Sequence, residues 1–224
     1  MDLRISQLLD LSHTMAGEYL TQFAYPWQAL DGIKDLILAL GPTLSPEEYD
    51  QPAPGVWVHR TAAVAPTAYL GAPCIIGPGT EVRHCAFIRG SALVGEGCVV
   101  GNSVELKNVI LFDGVQTPHY NYVGDSILGY KSHMGAGSIT SNVKSDKTLV
   151  VVKNGGELIP TGRKKFGAIL GDHVEVGCNS VLNPGTVIGR GSSVYPTSSV
   201  RGVIPADSIY KAHGNIVPRE NGAN

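Results

Sequence analysis

The sequence predicts an all-β solenoid, with short parallel strands wound into a prism and a helical segment in front of it. Three observations predict it. Branched aliphatic residues recur every six positions, at Val58, Val64, Leu70, Ile76, Val82, Ile88, Val94, Val100 and Leu106. A small side chain stands four positions after most of them, as at Ala62, Ala68, Cys74, Thr80, Ala86, Ala92 and Cys98. Glycine often follows the aliphatic directly, as at Gly71, Gly77, Gly95, Gly101, Gly171, Gly177 and Gly189. Six residues are too few for a strand plus a helix, and a period of six does not hold one helical face. The unit fits one strand and one tight turn, with the aliphatic residue inside. Three units close a coil, and stacked coils share one core. The pattern resumes at Leu128 and Met134, and again at Leu170, Val176, Leu182, Ile188, Val194 and Val200. The regular segments give roughly six coils at about 4.8 Å each, a prism about 30 Å long.

Residues 1–55 lack the repeat. Leu30, Ile33, Leu36, Ile37 and Leu40 fall at helical spacing, ended by Gly41-Pro42. A helix there is expected to cap the open end of the solenoid, because terminal coils need covering. The solenoid is expected over 56–206, with a tail at 207–224. It breaks at about 108–122 and 140–168, and each break is expected to throw out a loop. The second carries six Lys/Arg against two acids and an apolar run, Leu149-Val150-Val151-Val152, with strand character. Long loops on a rigid scaffold are where function tends to sit.

Composition narrows the classes. The 224 residues carry a formal net charge of −2 and are 43% hydrophobic, which gives a real core and argues against a general nucleic-acid or membrane-surface binder. No apolar run approaches the length of a membrane span. The first residues, MDLRISQLLDLSHTM, have an early acid and no basic cluster, so they read as cytoplasmic. Cys74, Cys85, Cys98 and Cys178 show no C-x-x-C spacing and read as small core residues.

Arg89 and Lys107 are one coil apart and both follow an inward aliphatic, so they should stack on one face about 4.8 Å apart. Stacked like charges call for an anion, and a phosphate suits a guanidinium fork beside an ammonium. The other reading is that Glu105 or Glu81 neutralises them. His119 lies in the first break, where a lone histidine is usually just exposed. A metal site would need His84, His119 and His133 to converge, but the close pair typical of zinc is absent and no metal is expected.

Four strings then become specific together: VELKN, HYNYVGDS, GAGSITSN and KKFGAILGD. In order and spacing, over about residues 75–205, they resemble the acetyltransferase domain of the bifunctional UDP-N-acetylglucosamine pyrophosphorylase/glucosamine-1-phosphate N-acetyltransferases. The archaeal-type sugar-1-phosphate enzymes are more similar still. The resemblance implies a left-handed parallel β-helix, acetyl-CoA as co-substrate, no required metal, and homotrimers with sites between prisms. It implies His119 as catalytic base and Tyr122 as a sugar-phosphate contact, and it places Arg89 and Lys107 in the phosphate pocket. Asn142 falls near acetyl-CoA and the amino sugar, the Ala136 amide on acetyl-CoA, and Lys165 at the basic end of the second loop. Cys178 and Pro196 fall on the cofactor side.

The chain departs from that pattern at several positions. His133 replaces a sugar-side Asn, Cys178 a CoA-contacting Ser, and Val143 an aromatic. The C-terminal CoA-contacting Arg has no counterpart, although His213 lies nearby. Residues 1–55 hold no Gly-rich pyrophosphorylase signature, so nucleotidyltransferase activity is not expected. The expected function is N-acetylation of an amino-sugar 1-phosphate. The alternatives are acyl transfer from another donor or to a nucleotide-linked amino sugar, and a non-catalytic trimeric sugar-phosphate-binding scaffold.

Overall fold

The computed structural model describes residues 1–212 and 215–219. The six-residue unit does what its period requires, since each unit contributes one short strand and each third unit returns to the same face. The result is a left-handed parallel β-helix. Eight strands stack on the first face, from Val56–His59 through Cys74–Ile76 and Ala92–Val94 to Val203–Ile204. Eight parallel strands stack on the second, from Ala63–Val64 to Ser208–Tyr210, and Ile216–Pro218 closes it antiparallel. Seven stack on the third, from Tyr69–Leu70 to Ser199–Val200. The prism is therefore longer than the regular repeat suggests, and the expected tail begins inside it. Tyr210 is the last inward residue among those described, and its hydroxyl donates to the Ser199 carbonyl at 3.0 Å across the end.

The first expected loop is not a loop. Residues 108–122 stay in the coil, as the end of strand Glu105–Leu111, strand Gln116–His119 and the start of Tyr122–Leu128. Register explains the break. Leu111 pairs with Val94 and also with Leu128, and Gln116 pairs with Val99 and with His133, steps of seventeen residues instead of eighteen. Two coils are one residue short, so the phase slips twice. Thr117, fully buried, fills an inward position, its hydroxyl donating to the Val99 carbonyl at 3.2 Å.

The second break does leave the prism. It forms an antiparallel hairpin, Val151–Asn154 with Glu157–Pro160. Val150 and Val152 are buried, and Val150 lies against Gly185.

The N-terminal segment is not an end cap. It holds three short helices, α1 (Ile5–Leu8), α2 (Gly17–Leu20) and α3 (Ile33–Leu40), and it runs lengthwise over the first face. The Leu8 carbonyl accepts from the Asp172 N–H at 3.1 Å, and the His13 carbonyl from the Asp113 N–H at 3.0 Å. Asn108 donates to the Leu30 carbonyl at 3.0 Å. The physical reason lies in that face. Its outward residues Ile75, Leu93, Ile110, Ile127, Ile169 and Val187 are aliphatic, and all are buried by the segment's Leu8, Leu20, Trp27, Leu30, Ile33 and Ile37. The inward residues of the first coil, Val58, Val64 and Leu70, are only half-buried, so the N-terminal end stays open. Among the described residues no helix is long and apolar enough to cross a membrane.

Candidate active site

The third face, left uncovered, carries the candidate residues on its two edges. At the edge where the second face turns into the third, one position per coil precedes a residue of positive φ. Those positions align His84, Asn102, His119, Ala136, Cys178 and Pro196 into a single column. Backbone bonds lock the stack. The Gly137 N–H donates to the His119 carbonyl at 3.0 Å, the Asn179 N–H to Ala136 at 2.8 Å, and the Thr197 N–H to Cys178 at 2.8 Å. His119 is thus one coil, about 4.8 Å, from Ala136. Its imidazole is exposed and has no hydrogen-bond partner among the described residues, and the Ala136 N–H likewise has none. Cys178 and Pro196 are exposed on the same line.

At the opposite edge, where the third face turns into the first, three side chains converge on a residue that the sequence motifs did not single out. Asp125, buried, accepts from Lys107 Nζ at 2.9 and 3.1 Å, Asn108 Nδ2 at 3.0 Å and Asn142 Nδ2 at 2.6 Å. Asn142 Nδ2 also donates to the Tyr122 hydroxyl at 3.1 Å. Burial, then the charges of Asp125 and Glu105, push the Tyr122 hydroxyl pKa above its ordinary value, so it stays protonated. Gly124 makes room for this arrangement. A Cβ there would stand 2.5 Å from the Tyr122 oxygen and 3.0 Å from Asn142 Nδ2.

Arg89 and Lys107 do sit in adjacent coils, since Leu106 pairs with Ile88. They are not bare, because each has a carboxylate of its own. Arg89 pairs with Glu105 at 2.8 Å and Lys107 with Asp125. Beyond Lys107 opens a cavity of about 430 Å³ lined by Asp31, Lys107, Asp125, Arg163, Lys164 and Lys165, among others. Asp31 reaches it from the N-terminal segment and pairs with Arg163 at 2.6 Å. Four cations face two carboxylates there. Lys165, exposed, lends its carbonyl to Arg163 Nε at 3.2 Å.

His133 lies apart from both groups. It sits in the middle of the second face and binds Glu175 at 2.9 Å. His84 and His119 are two coils apart in one column with Asn102 between them, and His133 stands level with Gln116 on the second face, three residues before the column position Ala136. His213 lies outside the described residues. All four cysteines are free; burial pushes the Cys74 and Cys98 thiols up to about 12, which leaves them unreactive.

Comparison with known proteins shows the family. The family described as the GMPPB C-terminal domain matches residues 72–208. The chain belongs to that family. A bifunctional sugar-1-phosphate nucleotidylyltransferase/acetyltransferase of Sulfurisphaera tokodaii is 34% identical over 105 residues, which is 47% of this chain and 26% of that protein. The bifunctional protein GlmU of Methanococcus maripaludis is 33% identical over 115 residues, 51% of this chain and 28% of the relative. The family match thus spans most of the prism, and the aligned region is about a quarter of the length of these curated relatives. Among solved structures, a hexapeptide transferase family protein from Anaplasma phagocytophilum aligns at 14% identity and a TM-score of 0.41, covering 74% of this chain and 79% of that one. The acetyltransferase domain of PglB from Neisseria gonorrhoeae, in complex with acetyl coenzyme A, aligns at 16% identity and a TM-score of 0.33, covering 72% and 56%.

Proposed function

We propose that the chain is an acetyl-CoA-dependent N-acetyltransferase acting on an amino-sugar 1-phosphate, working as a cytoplasmic homotrimer. One observation carries the reading. A single uncovered face has an unengaged imidazole in register with Ala136, Cys178 and Pro196 on one edge, and a hydrogen-bonded Lys107–Asp125–Asn142–Tyr122 group on the other. Tyr122 lies on the face between them and bonds Asn142.

The chemistry follows from those positions. An ammonium has no lone pair to attack a thioester. His119 takes the proton as the amine nitrogen bonds to the acetyl carbon, and the proton passes on to the CoA sulfur as the C–S bond breaks. The oxyanion formed on the way needs a fixed donor, and the unpartnered Ala136 N–H is suited to it. Lys107, Arg163, Lys164 and Lys165 outnumber the two acids of the basic cavity, a balance that suits a phosphate dianion. Fixing that phosphate orients the amine. The thioester substrate would lie along the column of Ala136, Cys178 and Pro196.

The test is release of free CoA from acetyl-CoA with a panel of amino-sugar 1-phosphates, for the wild type beside His119→Ala. Turnover that collapses in the variant supports both the reaction and the base. A folded protein with no turnover on any acceptor sinks the reading. A second reading, a sugar-phosphate-binding scaffold, is favoured by the altered donor-side positions, Cys178 where the resembled family has a CoA-contacting Ser and Val143 where it has an aromatic. Thermal shift separates the two. A scaffold is stabilised by sugar phosphates alone, whereas an enzyme is also stabilised by acetyl-CoA.

A further inference from the structure

Asp125 has no role in the reaction proposed above, yet three side chains donate to it. Its carboxyl group is 3% exposed, its charge is matched by Lys107, and both of its oxygens are occupied. An ionised carboxylate only accepts hydrogen bonds, whereas a carboxamide has one accepting and one donating end. At 2.6 Å from an Asp125 oxygen, Asn142 has one possible orientation, with its NH₂ group turned inward. That NH₂ also meets the Tyr122 oxygen. Two ends of the chain are then left over. Asn142 Oδ1 has no partner among the described residues, and the Tyr122 hydroxyl, having accepted, still has its own proton to give.

We infer that Asp125 is a positioning residue: its buried carboxylate fixes which way Asn142 and Tyr122 face, so that Asn142 offers a bound molecule a carbonyl oxygen and Tyr122 offers a hydroxyl proton. The matching ligand carries an N–H or O–H donor at Asn142 and an oxygen acceptor at Tyr122. An ammonium, which can only donate, suits the first position. That this ligand is the amino-sugar phosphate rests on the function proposed above.

In Asp125→Asn the new carboxamide must turn its oxygen toward Lys107 and Asn108, because both present N–H groups. Its NH₂ then meets Asn142, which has to rotate and present its own NH₂ to the ligand. An ammonium now faces donors, while a hydroxyl can reverse its role. Adding Asn142→Asp restores an accept-only group opposite the new NH₂, and with it the acceptor that faces the ligand.

The experiment titrates glucosamine-1-phosphate and glucose-1-phosphate by calorimetry into the wild type, Asp125→Asn and Asp125→Asn/Asn142→Asp, with folding checked by circular dichroism. The expected result is an amine-over-hydroxyl preference that falls at least tenfold in Asp125→Asn and returns in the double variant. An unchanged preference in folded Asp125→Asn overturns the inference. So does a folded double variant that does not regain it, or a double variant that fails to fold. If Asp125→Asn alone fails to fold, the double variant decides by the same preference. The side-chain amide ¹⁵N–¹H resonances of Asn142, recorded without ligand, give a readout independent of substrate. They should show hydrogen-bonded, slowly exchanging protons in the wild type and lose that protection in Asp125→Asn. Should the wild type bind neither sugar phosphate, the proposed function fails. The inference then stands if this amide signature is seen and falls if it is not.

Discussion

Replacing Ile110 by alanine tests the most consequential feature of the fold, the sealing of the first face by the N-terminal segment. Val109 and Leu111 point into the prism, so Ile110 points out of it, yet it is fully buried. Alanine removes three carbons. At about 0.8 kcal/mol per group the lost transfer free energy is about 2.4 kcal/mol. The void would lie between a rigid coil and the covering segment, and partial collapse brings the total to about 3–4 kcal/mol. Leu38→Ala is the matched control. It also removes three carbons, from the solvent side of α3, where Leu38 is 43% exposed, and it should cost below about 1 kcal/mol. Urea unfolding followed by circular dichroism, at equal m-values, reads both. A cost for Ile110→Ala no greater than that of Leu38→Ala would refute the reasoning, because it would mean that the segment does not seal this face.

Further outcomes are expected elsewhere. His119→Ala should lower kcat about 10²–10⁴-fold in the CoA-release assay while leaving the fold intact, since its ring is exposed and makes no hydrogen bond among the described residues. Asp31→Asn frees Arg163 in the basic cavity, so inorganic phosphate should bind several-fold more tightly by calorimetry, with stability altered by less than about 1 kcal/mol. Asp172 accepts the backbone N–H groups of Asp10 at 2.8 Å and Tyr130 at 2.9 Å, one on each oxygen. Asparagine satisfies only one of them, so Asp172→Asn should cost about 1–3 kcal/mol in denaturant. Burial raises the Asp113 pKa above the ordinary carboxylate value. The native state therefore holds that proton more tightly than the unfolded chain, and this group's contribution to stability falls as pH rises from the ordinary value through the raised one. In Asp113→Asn, thermal unfolding across that window should lose this slope.

The architecture was legible because a solenoid repeats one rule, and the rule is strong wherever the inward side chain is aliphatic. It failed where the spacing shortened to five, from Leu106 to Leu111 and from Val123 to Leu128, and where threonine replaced the aliphatic at positions 117 and 140. Two missing residues and two polar fillers made continuous coil look like a loop. The sequence carries a second signal. Trp57, Ile75, Leu93, Ile110, Ile127, Ile169 and Val187 repeat once per coil and point outward. A face that greasy has to be covered along its length, and the amphipathic residues 1–40 were available to do it. The adjacency of Arg89 and Lys107 followed from an eighteen-residue spacing. Their partners did not, because Glu105 and Asp125 meet them only across coils. Asp125 and Asn108 stood in plain view, in VGD and VELKN, but a hub of hydrogen bonds has no linear signature.

The lengthwise cover also sets an order of events. Leu8 and Asp10 are made early, yet they dock on Asp172, 162 residues after Asp10. During synthesis the apolar segment is therefore made long before the surface that shields it, and the coils made meanwhile grow with one bare aliphatic flank. Coil-on-coil stacking is local and fast, whereas the wrap must wait for a distant partner. Docking of the segment therefore waits for coils made later, and in that interval the apolar surfaces of both are uncovered, the condition that favours aggregation.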